Sequence, residues 1–256
     1  MKIITCIKQV PDSEARVTAQ DGQVSWGNSP LVINPFDEYA VEAALQQKDN
    51  GNATVTALCL GPESAREALK HALAMGADEA ILVSDPALES LDSQGAARVL
   101  AAAIHKIGAA DLVIFGRQTL DNGSGLMAAQ TARLLGWPLL SFAGKIEALA
   151  AAVRVERVLE EGKQTVSASL PAVMSVVQSI GEPRYPSFMG IRKASKAVIP
   201  VWSLADLGMS APQTVVHRRS LMNPPAREAR CEIITGESPE AIAETLVEKI
   251  LAEKVL

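Results

Sequence analysis

Four short, nearly continuous apolar runs punctuate the first half of the chain, at residues 2–7, 53–60, 79–83 and 111–115. Between them apolar positions recur at helical spacing over residues 36–47, 63–75 and 90–107. A strand that is apolar on both sides must be covered on both faces, and helices joining successive parallel strands supply that cover. A further helix over about 123–135 is followed by Gly136 and Pro138, a normal helix ending. The expected fold class is α/β: a doubly wound, mostly parallel sheet with helices on both faces, carried by about the first 145 residues.

From 145 to 177 the texture changes to strands joined by turns, read as extending or decorating that sheet. Arg157 stands ahead of Glu160, Glu161 and Gly162, an acidic turn, and alternation over 165–169 then leads through Pro171 into an apolar strand at 172–177. After Gly181 the chain reads as irregular, with Arg184, Arg192, Lys193 and Lys196 concentrated in 183–196. An apolar stretch at 201–207 precedes a linker with Pro212, Pro224 and Pro225. Residues 238–253 read as an amphipathic helix, with Ser238 as cap and Pro239 in its first turn. This extended C-terminal arm has too little apolar surface to fold alone and is expected to pack on something else.

Composition narrows the class. With 48% apolar residues but only 4% aromatics, the core must be built from Ala, Val, Leu and Ile. A net charge of −5 argues against a nucleic-acid footprint, which needs a basic face. No apolar run approaches the roughly 20 residues that span a bilayer, so membrane insertion is not expected. The opening MKIITCIKQVP suits a buried first strand better than a signal peptide. Cys6, Cys59 and Cys231 are widely spaced and show no metal-ligand pairing with one another or with the histidines, so a reducing, cytoplasmic compartment is expected.

Ligands of such sheets lie outside the carboxyl ends of the strands. Cys6 and Lys8 end the first run, and Leu60, Gly61 and Pro62 turn into the next helix. The segment 116–125, GRQTLDNGSG, follows the fourth run. Its glycines, with Asn122 and Ser124, either present backbone N–H groups to an anion or supply a helix cap. Asn34-Pro35-Phe36-Asp37 is either a capping segment or part of a pocket. No catalytic set stands out. His71, His105 and His217 are far apart, Ser124 has no triad partner, and Glu160–Glu161 reads as a solvated turn.

The stretch 155–175, VERVLEEGKQTVSASLPAVMS, resembles the signature of electron-transfer flavoprotein beta subunits, from Val155 through Arg157, Glu160, Gly162, Gln164, Val166 and Pro171 to Ser175. NPF at 34–36, ALAMGAD at 72–78 and EPRY at 182–185 are similar to the same family, and the resemblance spans residues 1 to about 208. It implies a heterodimer with an alpha subunit that holds most of an FAD site. It also implies a nucleotide pocket in this chain, with AMP in simple electron shuttles or a second FAD in NADH-dependent, electron-bifurcating relatives. The pocket would use Cys6, Lys8, Asn34, Leu60, Gly61 and Thr119, together with Asn122, Gly123, Ser124, Gly125, Leu126 and Met127. The 183–196 segment corresponds to a recognition loop for flavin dehydrogenases such as acyl-CoA dehydrogenases, with Phe188, Met189 and Arg192 as contacts; alternatively Phe188 packs the loop onto its own domain. A membrane quinone oxidoreductase would be the electron acceptor. The implied division is a nucleotide-binding domain over 1–200 and an arm over 201–256 that packs on the alpha subunit.

The chain departs from the family where polar residues normally line the loop: it reads Gly125-Leu126-Met127-Ala128. Asp37 stands where the mitochondrial type has Cys, and Ser13 where that type has a Tyr beside the flavin. A free-standing adenine-nucleotide regulatory domain would share the α/β plan but leave 183–196 and the arm without a purpose. Protein that binds and orients, with flavin supplying the chemistry, fits the lack of a catalytic set.

Overall fold

The computed structural model describes residues 1–20, 22–51, 53–89, 91–225 and 231–253. The chain divides into two units, Met1–Leu221 and Met222–Leu256. In the first unit β1 (Lys2–Ile7) leads into β2 (Gln9–Pro11), β3 (Thr18–Gln20), β4 (Gln23–Ser25) and β5 (Leu31–Ile33), which form two small antiparallel pairs, β2 with β5 and β3 with β4. Then come α1 (Pro35–Asp49), β6 (Thr54–Leu60), α2 (Arg66–Met75), β7 (Glu79–Val83), α3 (Ser93–Ile107), β8 (Leu112–Gly116) and α4 (Met127–Leu135). The remainder is β9 (Leu139–Ala148), β10 (Ala152–Leu159), β11 (Gly162–Ser169), β12 (Ala172–Val176), α5 (Phe188–Ser195) and β13 (Val201–Trp202). The second unit contains α6 (Pro239–Ala252), whose first turn is capped by Ser238 Oγ accepting from the Ala241 N–H at 3.3 Å.

The main sheet runs β13-β7-β6-β1-β8-β12-β9-β10-β11. Strands β13 through β9 are parallel, and β10 and β11 complete one edge antiparallel, with Glu160 and Glu161 in the exposed turn between them. Period-two alternation sends Ile3 and Ile7 of β1 to one face and Ile4 and Cys6 to the other. Ala40, Ala43 and Ala44 of α1 and Leu69 and Ala72 of α2 cover the first face; Val99, Ala103 and Ile104 of α3 and Ala128 and Ala132 of α4 cover the second. The doubly wound expectation holds, and alanine-faced helices let a core with few aromatics close.

Several local expectations need correction. β12 does not decorate the sheet; it inserts between β8 and β9, parallel to both and buried at every position. The segment after Gly181 is not wholly irregular, because Ser187 Oγ accepts from the Gly190 N–H at 2.9 Å and starts α5. Helix α5 then packs on α2 so closely that a Cβ at Gly190 would sit 2.2 Å from the Ala74 carbonyl oxygen. Helix α4 begins at Met127 rather than near 123, and of the apolar stretch at 201–207 only Val201–Trp202 forms a strand, because Ser203 and Asp206 close a turn.

Candidate functional site

The topology reverses at β1. The chain winds outward through β6 and β7, then crosses back to place β8 on the other side of β1. Such switch points open a crevice between neighbouring loops at the carboxyl edge. A cavity of about 690 Å³ lies there. Cys6 and Lys8 line it from β1, Leu60 and Gly61 from β6, Asp85 from the turn after β7, and Asp92 and Ser93 from the start of α3. The loop after β8 contributes Gly116, Thr119, Asn122, Ser124 and Gly125, and α4 contributes Met127.

The loop after β8 is shaped from both ends. Thr119 Oγ1 meets Asn122 Oδ1 at 3.0 Å, which also accepts from the Ser124 N–H at 3.2 Å, and Gly123 N–H donates to the Thr119 carbonyl at 2.9 Å. Gly123 and Gly125 take φ of +61° and +62°, the left-handed region that glycine enters without a Cβ penalty. Asn122 and Ser124 therefore build the loop and do not cap α4, whose first turn has no side-chain cap.

Asn34 stands apart from the cavity-lining residues. It is fully buried, its Nδ2 donates to the Gln118 carbonyl at 2.9 Å, and its Oδ1 accepts from the Leu120 N–H at 3.1 Å. Both ends of its amide thus help hold the loop from behind. Gly123 and Leu126 also fall outside the cavity lining, Leu126 being exposed. Ser13 is exposed in the turn after β2.

Asp37, Asp92 and Arg184 carry structural weight that their sequence context does not announce. Asp37, read from sequence as a helix-start residue, is 4% exposed and lines the cavity. Burial pushes its carboxyl up to about 7, against hydrogen bonds from Asn34 and from the Lys8 and Gly116 N–H groups. The Lys8 N–H lies 2.8 Å from Asp37 Oδ2. Gly116 is tied to this contact, since a Cβ there would sit 2.5 Å from both Asp37 Oδ1 and the Phe36 carbonyl oxygen. Asp92 caps α3 through the Gly95 N–H at 2.7 Å and accepts the Val215 and Val216 N–H groups at 2.9 and 3.1 Å on its other oxygen. Arg184, which looked like one more basic residue of a loop, is an anchor. Its backbone N–H, Nε and Nη2 all donate to the buried Glu42, at 3.1, 2.7 and 3.0 Å, and Nη2 also reaches Asp49 at 2.8 Å.

Acids outnumber bases in the cavity lining, with Asp37, Glu63, Asp85, Glu89 and Asp92 against Lys8 and Arg117. The Lys8 ammonium is paired with Asp121; burial works against that carboxylate, and hydrogen bonds from Lys8 and Thr119 hold it below its ordinary range. The Cys6 thiol is pushed well above its usual range by burial and by neighbouring Asp37, and burial takes Cys59 to about 12. Neither is a nucleophile at neutral pH. Among the described residues no group of three or more His, Cys, Asp or Glu is placed to hold a metal ion. His71 pairs with Glu38 at 2.9 Å, while His105 and His217 are exposed. Among the described residues that line the cavity there is no histidine.

The family model described as the electron transfer flavoprotein domain matches residues 27–207. The chain belongs to the electron-transfer flavoprotein beta-subunit family. It is 33% identical over 272 residues to the electron transfer flavoprotein subunit beta of Megasphaera elsdenii, with 100% of both chains covered. It is 35% identical over 265 residues to the caffeyl-CoA reductase-Etf complex subunit CarD of Acetobacterium woodii, again with 100% of each covered. To the protein FixA of Bradyrhizobium diazoefficiens it is 34% identical over 266 residues, covering 98% of this chain and 91% of that one. An electron-transfer flavoprotein beta subunit works in flavin electron transfer beside an alpha subunit. No described helix is long and apolar enough to cross a membrane.

The same frame locates the side chains of α5. Phe188 is 81% exposed and Met189 68%, and Tyr185 and Ile191 are exposed beside them. Phe188 thus does not pack onto its own domain. Arg192 is exposed on the same short helix.

Proposed function

We propose that this chain is the beta subunit of a heterodimeric carrier that takes electrons from flavin dehydrogenases, such as acyl-CoA dehydrogenases, and passes them to a membrane quinone oxidoreductase, with AMP held in the switch-point cavity. The observation that carries the reading is that cavity. It is lined by a left-handed glycine loop and the uncapped first turn of α4, and there is no histidine among its described lining residues. Backbone N–H groups at such a helix start suit a phosphate, and here they stand in for the polar side chains absent at 125–128. The residues fit an adenine nucleotide: Lys8, Leu60, Gly61, Thr119, Ser124, Gly125 and Met127 would hold it. The flavin, held mainly by the alpha subunit, would supply the redox chemistry. This chain would contribute binding, orientation and a docking helix, with Phe188, Met189 and Arg192 of α5 facing the dehydrogenase. The arm over 201–256 would pack on the alpha subunit, in keeping with the exposed Leu246, Val247 and Leu251 of α6.

The volume of the cavity, about 690 Å³ with lining from Lys8 to Asp92 at the start of α3, favours one second reading: an NADH-dependent, electron-bifurcating flavoprotein with FAD in place of AMP. The co-expressed heterodimer is denatured and its released nucleotides are separated and counted. One FAD with one AMP per dimer is the expected result. Two FADs without AMP would transfer the chain to the bifurcating class, and one FAD alone would refute a nucleotide role for the cavity.

A further inference from the structure

The start of α1 reaches under the cavity with two side chains three residues apart. Asn34 grips the loop after β8 at Gln118 and Leu120, while Asp37 accepts the Lys8 N–H, just beyond β1, on Oδ2 and packs Oδ1 against Gly116, at the end of β8. These two strands flank the crevice, so the Asp37 carboxyl is a cross-tie between its walls. The tie is tight, because nothing larger than hydrogen fits at Gly116. We infer that Asp37 is a positioning residue for the cavity's ligand, setting the spacing of the Lys8 and Gly116 walls, and that an anionic ligand binds with uptake of a proton by Asp37. This rests on the nucleotide reading of the cavity and adds a coupling that the reading does not contain.

Charge supplies the reason for the coupling. Among the described residues the ammonium close to Asp37 belongs to Lys8 and is already engaged by Asp121. The other titratable groups around Asp37 are the Cys6 and Cys59 thiols, both pushed upward, and Glu38 on its own helix, which pairs with His71. Glu63, Asp85, Glu89 and Asp92 line the rest of the cavity, with Arg117 at its rim. A phosphate entering this acidic chamber raises the cost of a second buried negative charge, and a carboxyl poised near 7 relieves it by protonation. Proton uptake then makes affinity fall as pH rises through the carboxyl's range.

The test is isothermal titration of AMP into heterodimer stripped of its exchangeable nucleotide, between pH 7 and pH 9. In that window a phosphate monoester, whose second pKa is about 6, is already doubly charged. If the ligand lifts the Asp37 carboxyl by about one further unit, affinity should drop about fivefold across the window. Repeating the titration in two buffers of different ionisation heat should show fractional proton uptake near pH 7.5. Asp37→Asn should bind with an affinity that is flat over the same range. The wild-type proton count keeps the test decisive if that variant folds poorly. No proton uptake in the wild type, or an unchanged pH slope in Asp37→Asn, overturns the inference while leaving the nucleotide reading standing. Wild-type protein that binds no AMP at any pH overturns both.

Discussion

Replacing Arg184 with alanine should loosen the base of the docking helix and cost stability out of proportion to a surface arginine. Glu42 is 5% exposed, on the inner face of α1, and accepts three hydrogen bonds from Arg184, two of them from the guanidinium. Alanine keeps only the backbone N–H and strands a carboxylate in the protein. Breaking a buried pair in this one-sided way costs about 3–5 kcal/mol. The Arg184 side chain is itself 35% exposed, so solvent screens part of the interaction, and about 2–3 kcal/mol is the better figure. For a chain of this size that corresponds to a fall of roughly 5–10 °C in melting temperature. Denaturant titration gives the free energy directly, and amide exchange over 182–187 should accelerate. The reasoning also requires that Arg184→Ala combined with Glu42→Gln be at least about 1 kcal/mol more stable than Arg184→Ala alone, because the second change removes the stranded charge. A single variant within about 0.5 kcal/mol of wild type, or a double variant no better than the single, would refute it.

Gly190→Ala should separate α5 from α2: helix propensity favours alanine by about 1 kcal/mol, but a Cβ 2.2 Å from the Ala74 carbonyl oxygen forces a shift costing about 1–3 kcal/mol, read by denaturant titration. Phe188→Ala should slow electron transfer from a partner dehydrogenase in stopped-flow assays while FAD content and melting temperature stay unchanged; equal rates would show that the exposed ring is not a docking anchor. The Asp92 carboxyl is held below its ordinary range chiefly by the Gly95 N–H and then by Val215. Its hold on the 215–216 segment is therefore present at neutral pH and lost as acid protonates it, so amide exchange at Val215 and Val216 should quicken below about pH 4 and be quick at all pH in Asp92→Ala.

How much of this was legible in the sequence follows from where each signal is stored. The strands at 2–7 and 79–83 were readable to the residue because an apolar run covered on both faces writes its own limits. By the same logic β12 has the pattern of a central strand, yet its place among hairpin strands reads as extending or decorating the sheet; the insertion between β8 and β9 is a tertiary choice that sequence order does not record. Helix α5 is eight residues long and is held by Gly190 against α2 and by Arg184 against α1. Neither hold leaves a periodic trace. In the cavity, the glycine loop and the ends of β1 and β6 could be anticipated from strand-end positions. Asp37 could not, because a buried acid three residues after a cap looks the same as a solvated one. Asn34 was legible as important but not as a clamp behind the loop.

The family signature itself resolves into a mechanical device. Arg157 sends Nε to the Ser141 carbonyl and Nη2 to Ser141 Oγ, each at 2.9 Å, while Nη1 meets Gln164 Oε1 at 3.1 Å. Ser175 Oγ accepts the Phe142 N–H at 3.1 Å. Two separated signature residues, Arg157 and Ser175, thus converge on Ser141 and Phe142, with Gln164 holding Arg157 from behind, at a bend in β9 where Phe142 adopts a φ of +58°. A non-glycine residue in that region costs about 1–3 kcal/mol and persists only where its surroundings over-determine it. Here they do, with three hydrogen bonds to side chains on two neighbouring strands and the Arg117 guanidinium 5.9 Å from the Phe142 ring. Arg117 follows β8 and lies at the rim of the cavity, so the bend braces the wall on which the glycine loop is mounted. On this geometry the signature identifies the family through the scaffold that steadies the cavity. Under the proposed nucleotide reading, ligand choice would rest with the loop at 122–128 and with Asp37.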